Sequence, residues 1–349
     1  MSVGCASHSY TITDRDGGLV NASGILTDVE YNRLLNDAST ATVTIGVSGP
    51  SCCAELGNVR SWRHQLNIYR NDAFMWSGYI TNVDWDRDKV VVDATDLVGL
   101  LDRRVPHQDF AFTATDITEI ARQLVEDGLA PDDPGHTVTV IGTAGVEGGR
   151  SYSQNIGQTA DHLRDLADTG LDFTAVGNNL VILPDGFCDV VGRLADEDFP
   201  AGLTVSEDGA SLATRYIVAG SDDSGAVGVA GGTNAYYGLL EVYTEQTSIT
   251  DQAAAQAAAE AALKAALSVP VFMETNNITL SPTANVEVVS LVPGWCVTVT
   301  SDATCRTVTQ TLKITGLKVS EDGGSGDTPG QEQIILQLTA TGNELEVTS

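Results

Sequence analysis

The chain has 349 residues, 42% of them hydrophobic and 19% charged, which excludes a disordered polymer and leaves room for two or three packed domains. Its formal net charge is −29 and its only lysines are Lys89, Lys264, Lys313 and Lys318, which excludes a basic grip on nucleic acid or on an anionic membrane. Met1–Gly18 has no basic start followed by an apolar run, and no apolar stretch approaches ~18 residues, so neither a signal peptide nor a membrane-spanning segment is expected.

In residues 1–105, Tyr10-Thr11-Ile12-Thr13 reads as a strand. The polar turn Asp14–Gly18 separates it from Leu19-Val20, and Ala41–Ile45 is a further strand. From Cys52 to Val105 the pattern is a β-meander. Leu66, Ile68 and Tyr69 precede the turn Arg70-Asn71-Asp72, Phe74 and Trp76 alternate towards Ile80, and Val90–Val92 returns after the turn Asp84–Asp88. Two hairpins on a short pitch predict an antiparallel sheet curled into a barrel.

Residues 106–190 change period. Ile117, Ile120, Ala121, Leu124 and Val125 share one helical face between Asp116 and Asp127. Asp116 is the expected N-cap, Glu119 its capping-box partner and Gly128 the stop. A second helix is expected over Thr159–Thr169, with Ala160, Leu163 and Ala167 inward and Gly170 ending it. Leu171–Val176 and Leu180–Leu183 then form a hairpin about Gly177-Asn178-Asn179.

Residues 191–349 return to strands, expected over Ser211–Ala219, Tyr236–Thr244, Val286–Ser290, Cys296–Thr300, Thr307–Val319 and Gln333–Thr341. An alanine-rich helix at about 251–267, capped by Thr250 and blocked by Pro270, interrupts them and is expected to lie on a sheet. Ser320–Gly330 is acidic and glycine-rich, a long hairpin loop. The fold class is therefore mainly β with an α+β middle module. Two tube-like antiparallel β-barrel domains (1–105 and 191–349) flank a small helix-containing domain (106–190).

Motifs that carry chemistry are missing. Asp84, Asp86 and Asp88 match the start of a calcium loop, but Lys89 stands where glycine is needed and Thr95 where glutamate is needed, so a polar turn is the better reading. Gly142–Arg150 lacks the Lys-Ser/Thr ending of a phosphate loop and reads as surface loop. His8, His64, His107, His136 and His162 are dispersed without zinc-protease spacing, and no nucleophile elbow is present. Trp62, Trp76, Trp85 and Trp295 fit packing better than sugar stacking. Catalytic, cofactor-binding and metal-binding residues are accordingly expected to be none. Among Cys5, Cys52, Cys53, Cys188, Cys296 and Cys305 no zinc pattern appears. Cys296 and Cys305 flank the turn Ser301–Thr304 and are a candidate disulfide across a hairpin, and two reduced core cysteines is the other reading.

Many residues carry a resemblance. They are Cys52-Cys53, Leu56-Gly57, Trp62 followed by His64-Gln65-Leu66, Tyr69-Arg70, Trp76–Thr81, Asp96-Leu97 and Leu101–Val105 in the first zone. Thr115–Ala121, Leu291-Val292-Pro293-Gly294, Thr304-Cys305-Arg306 and the strand pair after Leu312 continue it. In order and spacing these are similar to the minor tail protein that serves as tail-tip (baseplate) hub in bacteriophages with long, non-contractile tails, of the actinobacteriophage type. The resemblance implies a structural, non-enzymatic virion protein located at the tail tip and made in the host cytoplasm. It implies a homotrimer whose paired barrels make a ring joining the hexameric tail tube and distal tail protein to a threefold tip. Further partners so implied are the tape measure protein and other tail-tip or receptor-binding proteins, with double-stranded DNA passing through an acidic lumen. A virion outside the cell would tolerate an oxidised cysteine pair. The competing expectations are an extracellular β-rich adhesin or receptor-binding protein and a tail-associated cell-wall hydrolase.

Overall fold

The computed structural model describes residues 6–23, 26, 28–47, 54–133, 135–203, 205–207, 209–210, 212–220, 225–246, 249, 251–267, 271–273, 277–303, 305, 307–323 and 331–340. Alternation builds the first strands: β1 (His8–Thr13) turns His8, Tyr10 and Ile12 inward, and β2 (Leu19–Ser23) pairs beside it. β3 (Asp28–Leu34) was not legible as a strand, because its inward positions are Val29, Tyr31 and Arg33, a buried cation breaking the apolar period. β4 (Thr40–Gly46), β5 (Gln65–Arg70), β6 (Ala73–Trp85) and β7 (Lys89–Thr95) complete the meander. Asp84–Asp88 is the β6–β7 hairpin turn, with Asp86 N–H donating to the Lys89 carbonyl at 2.9 Å.

A short helix, α1 (Leu97–Leu101), leads to β8 (Phe110–Asp116), α2 (Ile117–Leu129), β9 (Thr137–Val140), β10 (Glu147–Tyr152), α3 (Thr159–Ala167), β11 (Leu171–Val176) and β12 (Asn179–Pro184). The apolar faces of α2 and α3 meet β11 and β12 in one core containing Ile120, Leu124, Leu163, Phe173 and Ile182. Asp116 caps α2 as expected, accepting from Thr118 N–H at 2.9 Å. Glu119 does not close a capping box; it binds Arg122 instead, at 2.6 Å. Gly128 is not the stop either. A side chain there would meet Thr159 Oγ1 at 3.0 Å, so its absence lets α3 approach α2. Part of the expected loop Gly142–Arg150 is strand, because β10 pairs with β8.

The remaining strands are β13 (Val190–Ala195), β14 (Val205–Glu207), β15 (Arg215–Ala219), β16 (Val227–Gly231), β17 (Glu241–Glu245), β18 (Val271–Met273), β19 (Ile278–Thr279), β20 (Cys296–Ser301), β21 (Val308–Asp322) and β22 (Glu332–Ala340), with α4 at Gln252–Leu267. The expected strand Val286–Ser290 is a 3-10 turn at Val288–Ser290, since its backbone bonds locally, Ser290 N–H to the Glu287 carbonyl at 3.0 Å. The strand expected from Tyr236 begins only at Glu241. Thr250 lies outside the described residues; Asp251 accepts from Ala254 N–H at 2.8 Å at the start of α4. Most of the loop Ser320–Gly330 also lies outside them, while β21 continues through Asp322.

The fold is mainly β with an α+β middle module. Among the described residues the main sheet has 12 strands in the order β13-β20-β21-β3-β4-β7-β6-β5-β1-β2, with β22 on β21 and β19. The first and last β zones are thus one sheet, joined where β21 pairs antiparallel with β3 from Gly316↔Leu34 to Asp322↔Asp28. By compactness the chain forms two units. One is Met1–Gly202, Thr275–Val299 and Leu312–Thr339; the other is Leu203–Glu274, Thr300–Thr311 and Ala340–Ser349. In the second unit α4 lies on the three-stranded sheet β16-β15-β17, with Ala259 against Val218 and Ala230. A side chain at Gly228 would meet the Ala255 carbonyl oxygen at 1.9 Å, so glycine there and the small residues of α4 set the close approach. That approach lets Gln252 and Gln256 reach the β16 edge. Gln252 donates to the Val227 carbonyl at 2.8 Å and Gln256 to the Val229 carbonyl at 3.0 Å, in place of a further strand.

In the first unit the sheet curls until strands far apart in its order meet through side chains. Arg70 at the end of β5 makes a bidentate pair with Glu332 of β22, at 2.6 and 2.8 Å. His8 of β1 bonds Glu321 of β21 through Nδ1, and its Nε2 lies 3.4 Å from the Tyr31 hydroxyl. Arg33 donates to the Met75 carbonyl of β6. His8, Tyr31, Arg33, Arg70 and Glu332 are all buried. Burial raises the Tyr31 hydroxyl above its ordinary range, against the opposing pull of Arg33. Removing one partner of a buried ion pair strands the other, so Arg70→Met should cost about 3–5 kcal/mol in denaturant unfolding. The double variant Arg70→Met/Glu332→Leu should recover most of that loss; an equal or larger loss in the double variant would refute the pair's role.

At the β7–α1 junction Asp96 is 2% exposed and caps α1, accepting from Val98 and Gly99 N–H at 2.9 and 3.2 Å. Burial outweighs the hydrogen bonds from Ser39, Gly99 and Val98 and pushes its carboxyl up to about 6, from 3.8. A raised carboxyl pKa means the folded state binds the proton more tightly, so this group's contribution to stability falls as pH rises from about 4 to 6, by about 3 kcal/mol in all. Asp96→Asn retains a cap oxygen. Its melting temperature should gain on the parent's as pH rises through that window and hold a constant difference from it above; curves parallel throughout would count against the buried charge.

Candidate functional surfaces

The solvent-side face of the curled sheet carries two cross-strand rows. Register places Ser320, Glu30, Thr42, Asp93 and Asn82 in one, and Asp322, Asp28, Thr44, Val91 and Asp84 in the other. Polar positions alternate with buried Val29, Tyr31, Val43, Val92 and Val319, so the pleat itself segregates charge to this side. Thr42 donates to Asp93 at 2.7 Å, Asn82 donates to Asp84 at 3.0 Å, and Lys318 pairs with Glu30 at 2.9 Å. Asp28 stands directly opposite Asp322, an arrangement of like charges that works against strand pairing. A concavity of about 610 Å³ opens over the end of this face, lined among others by Asp28, Glu30, Glu321 and Asp322. The surface is one that repels polyanions.

A larger concavity, about 810 Å³, is lined by Asp14, Arg15, Asp16, Arg63, Asp132 and Asp133 among others. Beneath it lies the arrangement most like catalytic machinery. Asp133 Oδ1 lies 2.7 Å from His136 Nδ1, and His136 Nε2 lies 3.0 Å from the Tyr79 hydroxyl. With Nδ1 protonated towards the carboxylate, Tyr79 donates to Nε2. Spacing in sequence hid this relay, because Tyr79 is on β6 and His136 just before β9. The groups are set against reaction. Burial holds His136 below the usual imidazole range despite Asp133, and burial raises Tyr79 despite its bond to Gln65. The His136 side chain is 1% exposed, with both ring nitrogens engaged by Asp133 and Tyr79. The relay ties Asp133 and His136 to Tyr79 of β6.

The other histidines also stand apart. His64 accepts from Arg60 N–H at 3.0 Å, His107 lies 2.9 Å from the Asp127 carbonyl, and His162 lies 3.1 Å from the Ile156 carbonyl. Among the described residues no group of three or more His, Cys, Asp and Glu is arranged to hold a metal ion, and no helix is long and apolar enough to cross a membrane.

The expected pairing of Cys296 with Cys305 is corrected. Cys296 is bonded to Cys188, with Cα atoms 5.2 Å apart across a sequence separation of 108, and Cys305 is a free, exposed thiol. The cause is strand order: β13 pairs with β20, so the residue two before β13 meets the first residue of β20. Cys296 N–H donates to the Asp189 carbonyl at 2.9 Å, and the preceding residues, Phe187 and Trp295, pack edge to face at 5.4 Å. Cys5, Cys52 and Cys53 lie outside the described residues.

No family model and no curated protein matches the chain. Solved structures do. A 43 kDa tail protein of prophage MuSo2 from Shewanella oneidensis matches with a TM-score of 0.63 at 13% identity, over 96% of this chain and 98% of that one. A tail protein from Neisseria meningitidis matches at 0.59 and 13%, over 95% and 96%. A prophage tail protein from Listeria monocytogenes matches at 0.57 and 10%, over 94% of each chain. The fold is therefore that of phage tail proteins.

The cysteine assignment has a direct check. Cys188→Ser should lower stability under oxidising conditions by about 2–4 kcal/mol, and reductant should bring the parent to the same level. Cys305→Ser should change nothing; a loss there with none at Cys188 would restore the hairpin pairing.

Proposed function

We propose that this chain is a structural component of a phage virion, the tail-tip hub of a long non-contractile tail of the actinobacteriophage type, without catalytic activity. The observation that carries the reading is coverage: the tail-protein fold takes in 96% of this chain and 98% of its Shewanella neighbour. In this reading residues 1–105 and 191–349 supply the two tube-forming modules and 106–190 the module between them. Three copies close a ring between the hexameric tube with its distal tail protein and the threefold tip, beside the tape measure protein and other tail-tip or receptor-binding proteins.

The acidic rows on β21, β3, β4, β7 and β6 support the placement of a surface along the path of double-stranded DNA. Phosphates are repelled there at short range and do not stick, an effect that salt weakens. Joining of both β zones in one sheet supports their acting as a single wall segment.

Purified particles containing the chain should carry three copies per tail by quantitative mass spectrometry, and a reconstruction of the tail should place them as a ring at its tip. Six copies, one copy, or a position along the tube would overturn the proposal.

A further inference from the structure

In the second unit the segment before β17 is a small, tightly held loop that displays apolar side chains. Asn234 and Gly238 exchange both backbone hydrogen bonds, at 2.7 and 2.9 Å. The Asn234 side chain accepts from the N–H groups of Tyr236 and Tyr237 at 2.7 and 3.0 Å. Buried Thr214 fastens the base: its hydroxyl donates to the Gly238 carbonyl at 3.1 Å and lies 2.8 Å from Leu240 N–H. Gly238 takes a φ of +76°, which suits the turn. The loop is thus fixed from both sides, yet Tyr236 is 86% exposed and Leu239 48%.

Within this chain the Tyr236 ring meets only the edge of Tyr237, at 4.8 Å, and Leu239 is half-buried, so the display adds little to the core, whereas the bonds that order the loop hold it in place. A rigid aromatic residue presented on an ordered turn is what a binding anchor requires, because little conformational entropy remains to be lost on contact. Charge narrows the partner. Glu241 and Glu245 follow the loop on β17, and Glu241 is paired with Arg215 at 2.6 Å. The whole chain carries −29, which disfavours a second copy on this acidic rim, and the two concavities described above are lined largely by polar and charged side chains.

We propose that the Tyr236–Leu239 loop is an anchor that inserts into an apolar pocket, rimmed by Lys or Arg, on a different protein. It uses residues other than those of the acidic sheet face, and it does not depend on the number of copies in the ring.

The test uses the full chain, made in cells that also make its natural neighbours, with p-benzoylphenylalanine at position 236 and, as control, at the exposed Thr309 of the same unit. Irradiation should give an adduct with one other polypeptide, at least tenfold above the control, mapping to an apolar segment flanked by Lys or Arg. That purified polypeptide should bind Tyr236→Ser/Leu239→Ser at least tenfold more weakly, and Glu245→Lys several-fold more weakly, with the melting temperature of both variants unchanged. An adduct of twice the chain's mass, an adduct to lipid or to a polar segment, no adduct above control, or unaltered binding by the double variant would each overturn the anchor. None of these results bears on copy number, so the hub reading stands or falls separately.

Discussion

The first unit depends on a charged seam inside its sheet. His8 and Arg70, from strands at one end of the order, are held against Glu321 and Glu332, from strands on the far side of β3. Backbone hydrogen bonds join each strand to its neighbours but do not dictate how far a sheet curls. Here side-chain charge supplies that closure. The geometry is bidentate at Arg70, and Tyr31 accompanies His8, so desolvated charges find partners within a few ångströms. A purely apolar interior of the same volume would pack as well, but without naming which strands must meet. We read the seam as a device for register and curl.

The middle module is attached by the same kind of contact. The β3–β4 turn places Asn36 at a φ of 61°, where its N–H donates to the Phe173 carbonyl and its side chain accepts from Phe173 N–H, both at 2.8 Å. The Lys313 ammonium, on β21, donates to Asp172 at 2.7 Å and to the Asp185 carbonyl. β11 is therefore gripped from a hairpin of the first zone and from a strand of the last. The α+β core beneath it is apolar and local, built by α2 and α3 on β11 and β12. Local packing makes the module, and a few polar bonds of long sequence separation orient it.

The second unit solves a different problem with little material. Its three-stranded sheet has little apolar surface to bury, and α4 is mostly alanine. Close approach at Gly228 and the amides of Gln252 and Gln256 turn a weakly amphipathic helix into a cover for the β16 edge. Glutamines one turn apart on a helix match alternate residues of a strand, because 1.5 Å times four is close to the 6.6 Å repeat of a pleat.

Much of this was legible from residue order. Period-2 alternation marked the meander, the i, i+3, i+4 face of Ile117–Val125 marked α2, and the alanine run marked α4, because local geometry and one-sided burial act within a few residues. Composition alone excluded a basic binding surface. Strand β3 escaped because Arg33 occupies an inward position, and a buried cation is intelligible only once the carbonyl of Met75 lies opposite it. The relay Asp133–His136–Tyr79 escaped because two of its members are 57 residues apart. Cys296 was matched to the nearer Cys305 by spacing, but strand order brought it Cys188 from 108 residues away. Elements and their apolar faces follow from short-range periodicity. Which strands adjoin, how the sheet curls and which cysteine finds which are settled only when long-range contacts repay the entropy of closing the chain.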